Sequence, residues 1–457
     1  MRIARALGRI VSWAVLAPSR QGLGLWSGLR PAQQLALGFA SYVAVGTVLL
    51  SLPVSTVAPV ALIDHVFVAT SAMSTTGLAT ISISDSYTFF GELVVLALFQ
   101  LGGIGYMTLS SVIVLARGRT LSEGRAGVLA AGFALPRYFV MHRFVVHVIV
   151  FTLIAETVGA LLLWWRFSVL GVDNALWSAV FHSVSAFATA GFSLYNNSLE
   201  GFGTDWVVCL TVGALCYLGA IGFIVVQDVW YSVKFREHMV TFTSKVIVLM
   251  TGVVFVVLSL WLYFADPGLG ALPGRERLIA AVFQAMTAST TAGFNTVPIG
   301  GLSAAALVVL MVAMVIGASP SGTGGGIKTT TVSALLACVL SILRGRDRVS
   351  WLGHEVPMVR VVNAVASATV YLCLLIAGLA VLCLTEGHGY LPVLFEAASA
   401  IGTVGLSLGI TGELSYAGKV VVVVLMFAGR CGPLTLGLAL LRPREARKDL
   451  RPDDLAV

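Results

Sequence analysis

Four short segments of the 457-residue chain carry the same residues in the same register. They are FVATSAMSTTGL from Phe67 to Leu78, FHSVSAFATAGF from Phe181 to Phe192, FQAMTASTTAGF from Phe283 to Phe294, and FEAASAIGTVGL from Phe395 to Leu406. Each reads Phe, then Ser or Thr four residues on, then Ala, then Thr three further, then Gly two beyond, closing on Leu or Phe. Glycine permits a positive φ and lets the backbone come close to whatever passes it. Carbonyl oxygens of a Thr-x-Gly turn can replace the hydration shell of a monovalent cation. The chemistry indicated is ion coordination rather than bond making. The candidate filter is Thr75, Thr76 and Gly77; Thr189, Ala190 and Gly191; Thr291, Ala292 and Gly293; and Thr403, Val404 and Gly405.

Two further features occur once each. GASPSGTGGGIK, from Gly317 to Lys328, places Gly317, Pro320, Ser321, Gly322, Gly324, Gly325 and Gly326 inside an apolar stretch, where they cannot hold a regular helix. A glycine-rich insert of this kind can move into a cavity at low conformational cost, or stand as a static kink. A phosphate-binding loop needs Gly-Lys-Ser/Thr in succession. Here Ile327 separates Gly326 from Lys328, so that match fails. Arg430 sits in the last apolar stretch, in MFAGRCGPLTL. An unpaired arginine in hydrocarbon costs several kcal/mol, so it should face a cavity or a partner, unless it snorkels to an interface. The expectation is one constriction formed by Arg430 with Gly317, Gly322, Gly324, Gly325, Gly326 and Lys328.

Other polar residues are read more blandly. Glu156, within a span, can be a proton relay or a structural partner, and the structural reading is favoured. Asp64 is expected to cap the first short segment. His182 reads as a hydrogen-bonded packing residue, and Glu396 has no evident role. Cys209, Cys216, Cys338, Cys373, Cys383 and Cys431 lie in apolar stretches without metal-ligand spacing and read as small core residues.

Composition dictates what must position these segments. Hydrophobic residues make up 58% and charged residues 11%, against about a quarter charged in a soluble chain. Val145–Leu163, Val246–Phe264 and Ala364–Leu384 are each long enough to cross a bilayer. The repeated segments are too short to do so and lie between longer apolar stretches. The unit is therefore helix, re-entrant half-helix with loop, helix. Non-helical backbone survives at membrane depth only when it is buried in protein or lines a cavity, and four such loops can meet on one axis. The predicted fold is all-α integral membrane, with four helix–pore-loop–helix repeats around a central pore. It has eight transmembrane helices plus four re-entrant pore helices.

The predicted spans are 33–52 with 88–116, 142–166 with 205–233, 244–265 with 303–343, and 359–384 with 415–441. The corresponding divisions are a cytoplasmic N-terminus 1–32, repeat 1 over 33–117, a cytoplasmic linker 118–140, and repeat 2 over 141–234. Repeat 3, with its broken second helix, covers 244–345; repeat 4 covers 358–441, and 442–457 is a cytoplasmic tail.

The net charge of +7 does not imply nucleic acid. Basic residues gather at the N-terminus, in 117–143, around Lys234–Lys245, in 344–360 and after Leu441. Eight crossings put all of these on one side, the positive-inside pattern, with both termini cytoplasmic. Arg166, Arg275, Arg277 and Lys419 are the outer exceptions. The basic N-terminus with its apolar run Ile10–Ala17 and Pro18 has the outline of a signal peptide, but the first span can target the chain, and cleavage is not expected.

These residues resemble the Trk/Ktr/HKT superfamily of potassium transporters, over about residues 33–441. The fourth copy's Thr403-Val404-Gly405 also matches the core of the potassium-channel filter signature. The resemblance implies one filter glycine per repeat, here Gly77, Gly191, Gly293 and Gly405, with potassium at their backbone carbonyls. Superfamily members that admit sodium can carry Ser at the first position; Gly77 favours potassium. It implies a gate loop at 317–328 and an arginine, here Arg430, just below the filter. Within the superfamily the chain looks most like the Ktr branch, since about thirty residues before the first span leave no room for the two extra helices of Trk-type subunits. The Ktr resemblance implies a homodimer in the lipid of the cell membrane (inner or plasma). It also implies a cytoplasmic ring of KtrA-type RCK subunits that bind ATP/ADP or NAD, with no nucleotide on this chain itself, and sodium as an activator of potassium uptake.

Three function classes compete at this stage. A gated pore passes ions down their gradient; a symporter couples K+ to H+ or Na+ with fixed stoichiometry; a membrane-embedded enzyme needs a cluster of acids, bases or nucleophiles. The sparse intramembrane charges do not supply such a cluster, so the chain is not expected to be an enzyme.

Overall fold

The computed structural model describes residues 29–105, 141–234 and 240–440. The expected cytoplasmic linker and tail, most of the N-terminal segment, and the end of the span predicted over 88–116 lie outside these residues. Four like units follow one another. The first contains α1 (Pro31–Leu50), α2 (Leu62–Met73) and α3 (Phe89–Ile104). The second contains α4 (Met141–Val169), α5 (Ala175–Phe187), α6 (Trp206–Ala220) and α7 (Phe223–Lys234). The third contains α8 (Phe242–Ala265), α9 (Gly274–Thr290), α10 (Ala304–Ile316) and α11 (Thr329–Leu343). The fourth contains α12 (Met358–Thr385), α13 (Tyr390–Gly402), α14 (Tyr416–Cys431) and α15 (Pro433–Leu440). A two-residue hairpin, β1 (Ser350–Trp351) with β2 (His354–Glu355), lies in the connection between units three and four.

The first helix of each unit is long and apolar enough to cross a membrane, with mean hydropathy between 1.4 and 2.5 over its best window. Leu153, Val256 and Ile376 on these helices point outward, where lipid replaces water and an exposed apolar face costs nothing. Cys373 and Cys383 on α12 are also exposed, so they are not the core residues expected. Cys209 and Cys216 are buried.

The second helices all start on a capping side chain. Thr88, Asp205, Ser303 and Ser415 accept the free amides of Gly91, Val207 with Val208, Ala306 and Gly418. An oxygen at this position satisfies donors that helix geometry leaves over. These helices also end alike. Gly105, Gly222, Gly317 and Gly432 follow them with φ of 82°, 93°, 67° and 82°, a region where an L side chain clashes with its own carbonyl. The chain turns by 91° between α6 and α7 and by 97° between α14 and α15. The straight spans expected over 205–233 and 415–441 are therefore each two helices. The break expected in the third unit alone recurs in units two and four, and among the described residues the third unit has the longer insert.

The buried cores lie between neighbouring units. Phe181 of unit two stands edge-on to Phe99 of unit one, with ring centroids 5.4 Å apart. Phe283 joins the core of unit two, and Phe67 that of units three and four. Each motif phenylalanine thus docks one unit on another, and the four units close around an axis.

Candidate ion pathway

The short helices α2, α5, α9 and α13 all end at the motif threonine, and each threonine is left-handed. The φ values are 54° at Thr75, 49° at Thr189, 57° at Thr291 and 49° at Thr403. A β-branched residue there costs about 1–2 kcal/mol. Backbone hydrogen bonds hold it. The amide of the residue after the threonine reaches the carbonyl of the motif Ser or Thr: Thr76 to Ser71 at 2.8 Å, Ala190 to Ser185 at 2.8 Å, Ala292 to Thr287 at 2.9 Å, Val404 to Ser399 at 2.9 Å. The threonine amide reaches the motif alanine's carbonyl at 3.0–3.4 Å. This pair of bonds is the Schellman helix end, normally built on glycine. In units one and four the serine hydroxyl then grips the glycine: the Gly77 amide donates to Ser71 Oγ and the Gly405 amide to Ser399 Oγ, each at 3.1 Å.

The four glycines form one ring. A methyl group on Gly77 would lie 3.0 Å from the Cα of Gly191; one on Gly191, 3.1 Å from Gly293; one on Gly293, 3.1 Å from Gly405; and one on Gly405, 3.2 Å from Gly77. Each would also collide with the carbonyl oxygen of Ala190, Ala292, Val404 and Thr76 respectively. Their φ values of 93°, 69°, 81° and 97° add a second reason for glycine. The structure thus brings together all twelve residues of the candidate filter.

Above the ring opens a vestibule of about 660 Å3, with the four glycines in its floor and Thr80, Asn196 and Glu200 in its walls. Side chains tie the units around this mouth. Ser82 donates to Asn196 at 2.6 Å, Asn196 to Asp85 at 2.8 Å, and Asn295 to Glu200 at 2.7 Å. Asn196 and Ser82 hold the Asp85 carboxyl below its usual range, so it stays anionic beside the entrance. Lys419 pairs with Asp64 at 2.7 Å, joining units four and one.

Below the ring lies the insert between α10 and α11. Thr323 is its centre. Its amide donates to Gly219 O at 3.0 Å and its hydroxyl to Phe187 O at 3.2 Å. Thr75 Oγ1 donates to Thr323 O at 3.3 Å, and Thr189 Oγ1 lies 3.0 Å from Thr323 Oγ1. The Gly325 amide donates to Thr291 Oγ1 at 3.0 Å, and a side chain at Gly325 would strike Thr403 Oγ1. The insert therefore touches all four motif threonines. Lys328 Nζ turns back into it, donating to Gly324 O at 2.6 Å and Gly325 O at 3.3 Å. Arg430 donates to the carbonyls of Thr323 and Gly102. Two basic side chains, Lys328 and Arg430, thus stand beneath the glycine ring. Gly317 and Gly326 close the base of the insert, their backbones too near for any side chain.

Among the other polar residues, the expectation for Asp64 is revised. Asp64 caps nothing, since Ala61 holds that place; instead it accepts from Thr80 at 2.7 Å and pairs with Lys419. Glu396, without a reading in the sequence, accepts Ser407 and Thr411 hydroxyls at 2.8 and 2.6 Å. Glu156 accepts from Gln100 at 2.9 Å, a structural contact between units one and two. His182 Nδ1 meets Ser178 O at 2.7 Å and Nε2 meets Ser193 Oγ at 2.9 Å. Of the outer basic residues, Arg166 pairs with Asp205 at 2.5 Å, and Arg277 lies over the Tyr263 ring at 5.0 Å. Sequence reading missed Gly102, Gly219 and Gly429. A side chain there would meet the carbonyls of Met73, Phe187 and Ile401, so these glycines let the second helices of units one, two and four touch the end of the short helix of their unit. Their signal is a Gly-x-x-Gly in three of the four units.

Known proteins resemble this chain in sequence and in architecture. Residues 40–446 match the family profile of TrkH, described as cation transport protein. The chain is 34% identical to the Ktr system potassium uptake protein B of Bacillus subtilis over 428 residues, covering 92% of this chain and 95% of that protein. It is 34% identical to the protein of the same name from Vibrio alginolyticus, covering 90% and 91%. It is 31% identical to the potassium/sodium uptake protein NtpJ of Enterococcus hirae, covering 90% and 93%. The crystal structure of the potassium transporter TrkH from Vibrio parahaemolyticus superposes with a TM-score of 0.66 at 21% identity, covering 93% of this chain and 85% of that one, a likeness of fold.

Proposed function

This chain belongs to the TrkH family of cation transport proteins and is a potassium uptake transporter of the Ktr/Trk kind, not an enzyme; from that premise we propose that the ion crosses through the glycine ring. The observation that carries the reading is the closed circle Gly77, Gly191, Gly293, Gly405, each against the next unit's carbonyl. Backbone oxygens at these turns exchange with the hydration shell of potassium. Threonine hydroxyls and serine-held amides keep the turns rigid. The vestibule, with Glu200 in its wall and Asp85 held by its lining residue Asn196, gathers cations.

The insert with Lys328 and Arg430 is the gate. It sits in the path below the ring, and the insert is hydrogen-bonded to Thr75 of unit one, Thr189 of unit two, Thr291 of its own unit and Arg430 of unit four. Its withdrawal opens the pathway, and the glycines permit the movement at low steric cost. On the same reading the chain works as a homodimer in the cell membrane (inner or plasma), with both termini cytoplasmic. A KtrA-type RCK ring binding ATP/ADP or NAD moves the gate, and sodium stimulates uptake. The competing reading is a Trk-type or coupled K+/H+ or K+/Na+ symporter. The two are separated by flux: a pore passes rubidium tracer without a fixed co-ion, whereas a symporter moves one in constant ratio.

The test is potassium uptake in cells stripped of their own systems. Intact chain restores growth at low potassium. Gly77→Ser and Gly405→Ser lose discrimination against sodium. Retention of selectivity by both variants would refute the filter assignment.

A further inference from the structure

At the residue after the motif phenylalanine the four units carry Val68, His182, Gln284 and Glu396. All four side chains are buried. The three polar ones reach the segment that leaves the filter. His182 Nε2 is 2.9 Å from Ser193 Oγ. Gln284 Nε2 donates to Thr296 Oγ1 at 3.4 Å. Glu396 accepts from Ser407 at 2.8 Å and from Thr411 at 2.6 Å, and those two hydroxyls are themselves 2.9 Å apart. Ser193 and Ser407 lie two residues beyond their glycines, and Thr296 lies three beyond. Where Val68 has no polar group, Thr80, also three beyond its glycine, donates instead to Asp64 at 2.7 Å.

One position of the pore helix thus braces the segment following the filter glycine in units two, three and four, and an ion-paired carboxyl, Asp64, replaces it in unit one. We propose that Glu396 is a positioning residue for ion selectivity: through Ser407 and Thr411 it fixes the segment beyond Gly405 and holds that glycine at the ring spacing that fits potassium. This rests on the glycine ring being the filter. The brace is a hydrogen-bonding role. An amide can fill it, because each hydroxyl can donate or accept. Valine cannot fill it, although Val68 shows that valine fits the fold at this place.

The experiment measures potassium uptake against increasing sodium in cells lacking other uptake systems. The variants are Glu396→Val, Glu396→Gln, the double variant Ser407→Ala with Thr411→Val, and Gly405→Ser as reference. Glu396→Val and the double variant should lower the K+/Na+ preference on the order of tenfold, the equivalent of one lost hydrogen bond. Glu396→Gln should keep most of it. If Glu396→Val does not reach the membrane, the double variant decides, because it removes the same contacts from the loop side. Unchanged preference in the double variant, with Gly405→Ser impaired, overturns the brace alone. An equal loss in Glu396→Gln and Glu396→Val also overturns it, since charge rather than positioning would then be at work. Unchanged preference in Gly405→Ser as well removes the filter reading, and the brace with it.

Discussion

Arg430, on the last helix of unit four, donates to the backbone carbonyl of Thr323, the residue at the centre of the unit-three insert. A guanidinium from one quarter of the ring therefore holds a loop from another beneath the four glycines. The same side chain reaches Gly102 O of unit one. Three units are fastened through one cation. Arg430→Ala removes both the fastening and the positive charge, so rubidium influx should rise several-fold. Arg430→Lys retains the charge but cannot span both carbonyls in a fork, and should give an intermediate flux. Influx equal to that of the intact chain in Arg430→Ala would contradict the gate assignment.

The filter threonines are expected to separate strain from closure. Thr189→Gly relieves a left-handed β-branched residue, about 1 kcal/mol of backbone strain. It also removes the hydroxyl that meets Thr323. The variant should keep or raise the thermal midpoint in detergent while its influx rises. Thr189→Ser keeps the hydroxyl, and its influx should stay near that of the intact chain.

The Asp64–Lys419 pair links units one and four at the outer end. Both groups are largely buried, so removing one strands the other in a poor solvent. Asp64→Asn and Lys419→Met should each lower the thermal midpoint. Combined, they should cost less than their sum, with a coupling of about 1 kcal/mol or more in a double-mutant cycle. Strict additivity would show that the pair does not join the units.

The helix-ending glycines invite a backbone test. Gly222→Ala forces an L residue to φ 93° and into the carbonyl of Pro320. The expected cost is at least about 1–2 kcal/mol. The yield of folded protein should fall, and because α6 and α7 flank the insert, the remaining protein should conduct more. A change to alanine at Gly201, where nothing lies within 4 Å, is the matched control and should do neither.

Much of this arrangement was legible in the sequence for one reason: the filter segment is written four times. A single FVATSAMSTTGL is consistent with close helix packing, but four copies between apolar spans are not. The broken third unit was legible because Gly317–Lys328 contains too many glycines for a helix. The breaks at Gly222 and Gly432 were not, since one glycine in an apolar helix usually marks packing rather than a turn. Asp64 was misread because a carboxylate near a helix start suggests a cap, whereas its true partner, Lys419, lies at the other end of the chain. Glu396 escaped for the same reason, its hydroxyl partners being set by how the loop folds back over α13.

Rubidium scatters anomalously and substitutes for potassium, so crystals of this protein grown in rubidium chloride give the most direct test of the ion path. The account predicts an anomalous peak on the axis of the ring formed by Gly77, Gly191, Gly293 and Gly405, within coordination distance of backbone oxygens from all four units. Ordered rubidium elsewhere in the membrane region, with none at the ring, would contradict it.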